Sequence, residues 1–488
     1  MTILQSYLHA NRCVREEYEG IELELLEGAV PKALRGTLFR NGNGRFIHQG
    51  VTYKHLFDGD GMVSAYSFCE GRMHYRNRYV KTEEFLEEER AGRMRYRSFG
   101  TNLPGGIRRN FMRMRFKNAA KTSVVYHGGK LLALWEGGWP HRLDPATLQT
   151  ITRYDYDGVL HNDFSAIDRL ITPELPFSAH PRIHPDTGVL YNFGTAAGTS
   201  QRLVLYRVDP DGRAAIHRAI PMKELSFTHD FVLTDAGEQI FFLVPVAFDL
   251  WRSFTGLLSP VDAMQSDPKR PTSILVVNEK GVETYQTEFC FIFHYANGYR
   301  RDDGALVVDA FTLSDFPDTL DMRKAFEGRS DDAPSAQPTR FILHPGRREA
   351  ERRTLDAYPG EFPMINRSYT GKPYRYFYQI AEDPAKGRTL THGFAKYDLQ
   401  TDARTLIDIF PQLPRRRCRR RRLAAGPELR SRIQPHLFSN LRCRPHGTYR
   451  PPAPAAQHSL GLSRSVDGGS VVEEILPVSR RGRTDQKR

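Results

Sequence analysis

Short β-prone runs alternating with turn signals at close spacing constrain this fold more than any other feature of the chain. KLLALWEG, GVLYNFG, RLVLYRVDPDGR, QIFFLVPVAF, SILVVNEKG, ALVVDAF, YRYFYQIA and GFAKYDLQTDAR are such runs, with Asp-Gly, Asp-Pro-Asp-Gly or Asn-Glu-Lys-Gly between or after them. β-Branched and aromatic side chains suit a pleated, half-buried surface, and Gly and Asp tolerate the backbone angles of tight reversals. Helical patterns are few, TEEFLEEERAGRM at 82–94 being an example. Many even strands over most of a chain predict an all-β protein, and within that class a β-propeller; a pair of β-sandwich domains is the alternative. No WD or kelch signature counts the blades.

The 488 residues would by length alone hold two or three domains, although repeating β architectures reach this size as one. A hydrophobic content of 40% is enough for a core. MTILQSYLHANRCVREEYEG shows no charged-then-apolar leader, and the longest apolar run, IFFLVPVAFDLW at 240–251, is too short to span a bilayer, so a cytoplasmic protein is expected. The five cysteines, odd in number and widely spaced, form neither a disulfide framework nor a metal knuckle.

A net charge of +13 would suggest nucleic acid or an anionic surface as partner, but its distribution argues otherwise. Residues 414–488 hold 18 Lys and Arg against 5 Asp and Glu, and residues 1–413 hold 52 of each. The text changes at the same place: PRRRCRRRRLAAGPELRSR shows no strand alternation, and Phe438 and Tyr449 are the only aromatics beyond it. The chain therefore divides into a β-propeller domain at 1–413 and a basic, low-complexity tail at 414–488. The tail reads as a nucleic-acid or lipid-binding arm, as plain disorder, or as a shifted coding frame near codon 414, since GC-rich DNA out of frame yields Arg, Pro, Ala and Gly. The last reading is favoured.

Three histidines stand out against this background. LPFSAHPRIHP places His180 and His184 four residues apart, yet Pro181 and Pro185 prevent the helix that would align them. A lone His is more often a hydrogen-bonded structural residue than a ligand, so any partners of His180 must come from distant segments. LSFTHDFVL and FCFIFHYANGY supply His229 and His294, each among aromatic or β-branched residues, where a core strand rarely carries a His without a partner. Spacings of 49 and 65 residues fit separate blades converging on one axis. Imidazole suits Fe, Zn, Cu and Ni alike, so the residues do not choose the metal.

Seven segments in order, FRNGNGRF (39–46), KHLFDGDGMV (54–63), LLALWEGGWPHRLDP (131–145), SAHPRIHP, FTHDFVL, FHYANGY and EFPMINRSYTGKPYRYFY (361–378), resemble the motif series of the carotenoid cleavage oxygenases. The resemblance covers about residues 18–410. It implies a seven-bladed propeller with an axial non-haem Fe(II) held by four histidines, three of them His180, His229 and His294. It also implies glutamates behind the histidines that accept the other ring N–H, with Glu136 and Glu361 at two of three matching positions. Thr122, in KTSVVY, matches a residue that approaches the open iron positions. The implied reaction is cleavage of a conjugated C=C bond by O2 to give two carbonyl products.

Stilbene-cleaving relatives carry a Lys directly before the first of those glutamates, whereas this chain has Trp135, suited to packing on a polyene. A carotenoid or apocarotenoid substrate is therefore favoured over a lignostilbene. LPGGIRRNFMRMRF (103–116) and VAFDLWRSFTGLL (246–258) could form an apolar patch for peripheral membrane contact, or could be loops packed on the propeller face. His184 and His55 fall outside the ligand pattern. His55 reads as a packing residue, beside an Asp58–Gly61 turn expected to need Gly for positive φ.

The chain departs from that pattern after Leu413. The fourth His and the third Glu are not convincingly present, and His446, in RPHGTY, is better explained by chance. The last blade is expected to be incomplete, and this polypeptide to be inactive or poorly folded. A non-enzymatic propeller that binds a partner and uses the basic tail is the competing class.

Overall fold

The computed structural model describes residues 13–408 except 27, 49, 114, 225, 317–335, 357 and 382–392, together with strands Leu441–Cys443 and Ile475–Leu476. Among these residues six antiparallel sheets of four or more strands follow one another along the chain. The first sheet is built from Glu19–Leu25, Arg72–Tyr79, Asp60–Cys69 and Gly36–Arg45. The second runs from Ser123–His127 to Thr150–Arg153, the third from Arg182–Ile183 to Ala214–Met222, and the fourth from Val232–Leu233 to Gly281–Thr287. The fifth runs from Phe291–Arg300 to Glu351–Thr354, and the sixth from Gly360–Met364 to Ala403–Asp408.

The propeller expectation holds, but the blade count of seven does not: the described residues make six. The reason lies beyond Asp408, where the described chain supplies only a three-residue and a two-residue strand. Both pair with the first blade, Leu441–Cys443 against Glu19–Leu25 and Ile475–Leu476 against Gly36–Arg45, and neither starts a new sheet. The rest of the tail, including His446, lies outside the described residues.

The outermost strands of the blades are the most exposed. Phe291–Arg300 is largely buried, whereas Glu351–Thr354, at the far edge of the same sheet, is exposed throughout. In the second to sixth blades the first strands therefore face the axis, and residues at or just before them meet near it. Between neighbouring blades the apolar faces interlock, as where Val125, Leu132 and Leu134 of the second meet Leu190, Val204 and Tyr206 of the third. Each such side chain gains about 1.5–3 kcal/mol from burial, which fixes blade against blade.

Local signals read as expected in most places. Asp-Pro-Asp-Gly closes a hairpin in which the Gly212 N–H donates to the Asp209 carbonyl, with Gly212 at φ +89°. The helix is Glu83–Ala91, capped by the Thr82 hydroxyl and ended by Gly92 at φ +58°. The Asp58–Gly61 turn is a correction. Gly59 has φ −63°, and Gly61 lies in strand Asp60–Cys69. Glycine is needed there for space, because a Cβ on Gly61 would lie 2.3 Å from the Ala120 carbonyl oxygen.

The two apolar segments at 103–116 and 246–258 pack on each other. The Met112 N–H donates to the Phe254 carbonyl, and the buried Arg97 guanidinium donates to the carbonyls of Ser253 and Leu258. Ile107, Phe111, Met112, Trp251 and Leu257 nonetheless remain exposed. No helix among the described residues is long and apolar enough to cross a membrane.

Candidate metal centre

His180 stands two residues before the first strand of the third blade, His229 three before that of the fourth, and His294 within that of the fifth. The hydrogen bond from the Ser178 N–H to the Phe193 carbonyl lays the approach to His180 against strand Leu190–Ala196. The three Nε2 atoms converge: His180 to His229 at 2.9 Å and His229 to His294 at 3.3 Å. These are the only three or more His, Cys, Asp or Glu among the described residues whose donor atoms gather as a metal ion requires.

The far sides of two rings are held by carboxylates. Glu136, two residues past strand Lys130–Leu134 of the second blade, takes Nδ1 of His229, and Glu361, in the first strand of the sixth blade, takes Nδ1 of His294 at 2.8 Å. Such partners place each ring proton on Nδ1 and leave the Nε2 lone pair directed inward. Glu361 is itself steadied by the N–H of Phe362, a residue at φ +55°, an uncommon conformation for a bulky side chain. With both ring protons on Nδ1, His229 and His294 aim their Nε2 lone pairs at one another across 3.3 Å and repel unless a cation lies between them, so this donor set fits a metal ion.

The electrostatics of His180 and His294 differ. Burial and then the neighbouring imidazoles push His180 well below its ordinary value, keeping it neutral. For His294 burial acts downward too, but the charge and hydrogen bond of Glu361 outweigh it, and the net shift is upward.

Behind the histidines a buried knot ties the same three segments together. Asp230, next to His229, accepts from Arg182 at 2.5 Å and from the Tyr295 N–H at 3.2 Å; Arg182 follows His180 by two residues and Tyr295 follows His294 by one. In front, Phe293 meets His229 edge-on at 5.4 Å, Phe227 lies parallel to it at 6.2 Å, and Phe362 packs on His294 at 5.1 Å. The setting is thus mostly aromatic.

The remaining residues singled out in the sequence are placed as follows. Thr122 is buried immediately before the first strand of the second blade, its N–H donating to the Leu134 carbonyl. Trp135 is half-buried, with its six-membered ring folded over Gly137, where an added Cβ would lie 2.7 Å from it. His184 is structural, its Nε2 on the Asp235 carbonyl at 2.8 Å. His55 packs edge-on against Phe57 and Phe99, as expected of a packing residue. A fourth histidine does not join the cluster among the described residues. Sequence reasoning missed the Arg182–Asp230 knot and a buried lysine, Lys121, beside Thr122.

The profile of the family described as retinal pigment epithelial membrane protein matches residues 11–427. Apocarotenoid-15,15'-oxygenase from Synechocystis sp. is 33% identical over 400 residues, which is 80% of this chain and 79% of the relative. Resveratrol cleavage oxygenase 1 from Aspergillus fumigatus is 30% identical over 382 residues, 74% of this chain and 70% of that protein. Among solved structures, cobalt-substituted Synechocystis apocarotenoid oxygenase superposes with a TM-score of 0.76 at 31% identity, covering 83% of this chain and 84% of that one.

Proposed function

The chain belongs to the retinal pigment epithelial membrane protein family, and from that premise we propose that it is built as a non-haem Fe(II) dioxygenase for a conjugated C=C bond of a carotenoid or apocarotenoid, giving two carbonyl products. The observation that carries the reading is the convergence of three Nε2 atoms on one point, two of the rings anchored from behind by Glu136 and Glu361. His180, His229 and His294 would hold the ion. Ferrous iron, when bound, supplies O2 activation, which no side chain of this site provides.

The chain's own residues do the rest. Neutral imidazoles favour the ferrous over the ferric state, and the two glutamates fix ring tautomer and orientation. Phe227, Phe293 and Phe362 exclude water and offer apolar faces to a polyene. We assign Thr122 to limiting what approaches the metal and Trp135 to packing on the substrate. Alanine at His180, His229 or His294 should abolish stoichiometric iron binding while leaving the far-ultraviolet circular dichroism of the β-sheets unchanged. Retention of one equivalent of iron by all three variants would reject the site.

A stilbene-type substrate is the second reading, supported by the likeness to a resveratrol cleavage oxygenase. The chain as it stands is proposed to be inactive, because the described residues provide three imidazoles where the family resemblance implies four. One equivalent of iron together with cleavage of an apocarotenal would overturn inactivity and leave the class intact. The exposed side chains of Ile107, Phe111, Met112, Trp251 and Leu257 are proposed to collect so apolar a substrate from a lipid surface. The double variant F111S/W251S should then lose sedimentation with phosphatidylcholine vesicles at unchanged stability.

A further inference from the structure

Two lysines four residues apart are almost wholly buried, and their surroundings differ completely. Lys117 is partnered on every side: Asp60 at 2.5 Å, Glu88 at 2.7 Å and the Tyr53 hydroxyl at 2.9 Å. That network joins the helix Glu83–Ala91 to the first blade and explains itself. Lys121, 2% exposed, makes no hydrogen bond or ion pair with any described residue. Its ammonium lies 4.4 Å from the ring centre of Phe57.

The nearby carboxylates are committed elsewhere. Asp58 accepts from the Gly100 N–H at 2.9 Å and the Thr101 hydroxyl at 2.5 Å, and Glu136 is taken by His229. Burial drives Lys121 down to about 8, against the pull of Glu136 and Asp58. An ammonium withdrawn from water with its donors unused destabilises the fold, and a cation–π contact offsets only part of that cost.

The position of Lys121 relates it to the histidines. Glu136 is a charge neighbour of Lys121 and the partner of His229, while the charge of Lys121 itself helps keep His180 neutral. Phe57, under the ammonium, packs at 6.1 Å against Phe293, the ring that abuts His229. An unbroken line of contacts, Lys121 to Phe57 to Phe293 to His229, thus joins the ammonium to the histidine cluster.

We propose that Lys121 determines specificity by donating to an acceptor oxygen conjugated with the substrate's olefin, either the carbonyl of a polyene aldehyde or the oxygen of a phenol. The inference rests on the reading of this site as one for a conjugated olefin. It adds that the olefin carries oxygen at one end, so a pure hydrocarbon polyene is a poor ligand.

The test is binding rather than turnover, on the full chain without oxygen, followed by quenching of tryptophan fluorescence and by the ligand's own absorption. Four probes form two pairs: an apocarotenal and the same polyene with a methyl group in place of the aldehyde, and 4-hydroxystilbene and stilbene. The wild type should prefer the oxygenated member of one pair by about tenfold or more. In K121M that preference should fall to within about twofold, and the absorption shift of the oxygenated ligand on binding should disappear. K121Q, which keeps a neutral donor, should retain part of the preference and provides the measurement should K121M fold poorly.

Loss confined to the aldehyde pair identifies the carbonyl as the partner, and loss confined to the phenol pair identifies the phenol. Wild-type preferences unchanged in both variants, or no preference in the wild type, overturn the role of Lys121 alone. Failure of the wild type to bind any of the four overturns the proposed function as well.

Discussion

At the scale of single residues, the carboxylates behind the histidines and the unpartnered lysine make opposite demands on the protein. Glu136 and Glu361 stabilise a particular ring orientation. E136Q and E361Q should each weaken metal affinity by about 10- to 100-fold, measured by competition with a chromophoric chelator, with little change in unfolding midpoint. Lys121 works against the fold. Its folded value of about 8 lies below the ordinary 10.5, so the native state binds fewer protons than the unfolded chain between those values. The penalty is fully present below about pH 8 and is relieved as the pH rises toward 10.5. K121M should therefore be more stable than the wild type at pH 7, by an amount on the order of 3 kcal/mol, and the gain should shrink across that alkaline window. A urea titration at several pH values that shows the wild type to be the more stable protein at pH 7 would rule out this account.

The element that matters most is the first strand of each blade, and the glycines beside it set how closely chains approach. A Cβ on Gly194, in strand Leu190–Ala196, would lie 2.0 Å from the Pro176 carbonyl oxygen and would displace the segment that leads into His180. G194A should cost about 1–3 kcal/mol of stability and loosen metal binding, whereas G42A, whose added methyl meets nothing within 4 Å, should do neither. His229 and His294 were legible in the sequence because an imidazole inside an aromatic, β-branched run has few reasons to be there. His180 was legible through the prolines that denied it a helix. Glu136 and Glu361 were legible only by resemblance, since a carboxylate in a turn or at a strand edge is ordinarily solvated. Lys121 was not legible: a lysine at the start of KTSVVY looks like a solvent-facing strand end, and only the packing of Phe57 and the second blade buries it. Nor could the Arg182–Asp230 pair be seen, because residues 48 apart acquire a relation only when two blades close on each other.

For the whole molecule, the described site ends at Phe362, while the excess charge lies after residue 413. A chain ending at 413 should keep the metal affinity of the full protein within about threefold, and it should pass a cation exchanger near neutral pH that retains the full chain. If truncation instead abolishes binding to an anionic partner, with a steep loss of affinity as salt rises, the non-enzymatic reading gains. The order of the blades also has a consequence in time. His180, His229 and His294 stand 49 and 65 residues apart, and a ribosome adding about 5–20 residues per second needs roughly 6 to 23 s to deliver the third after the first. Through that interval the nascent chain holds His180 and His229 without His294, and the Glu361 that anchors His294 follows 67 residues later still. The complete donor set thus exists only once the sixth blade has been made.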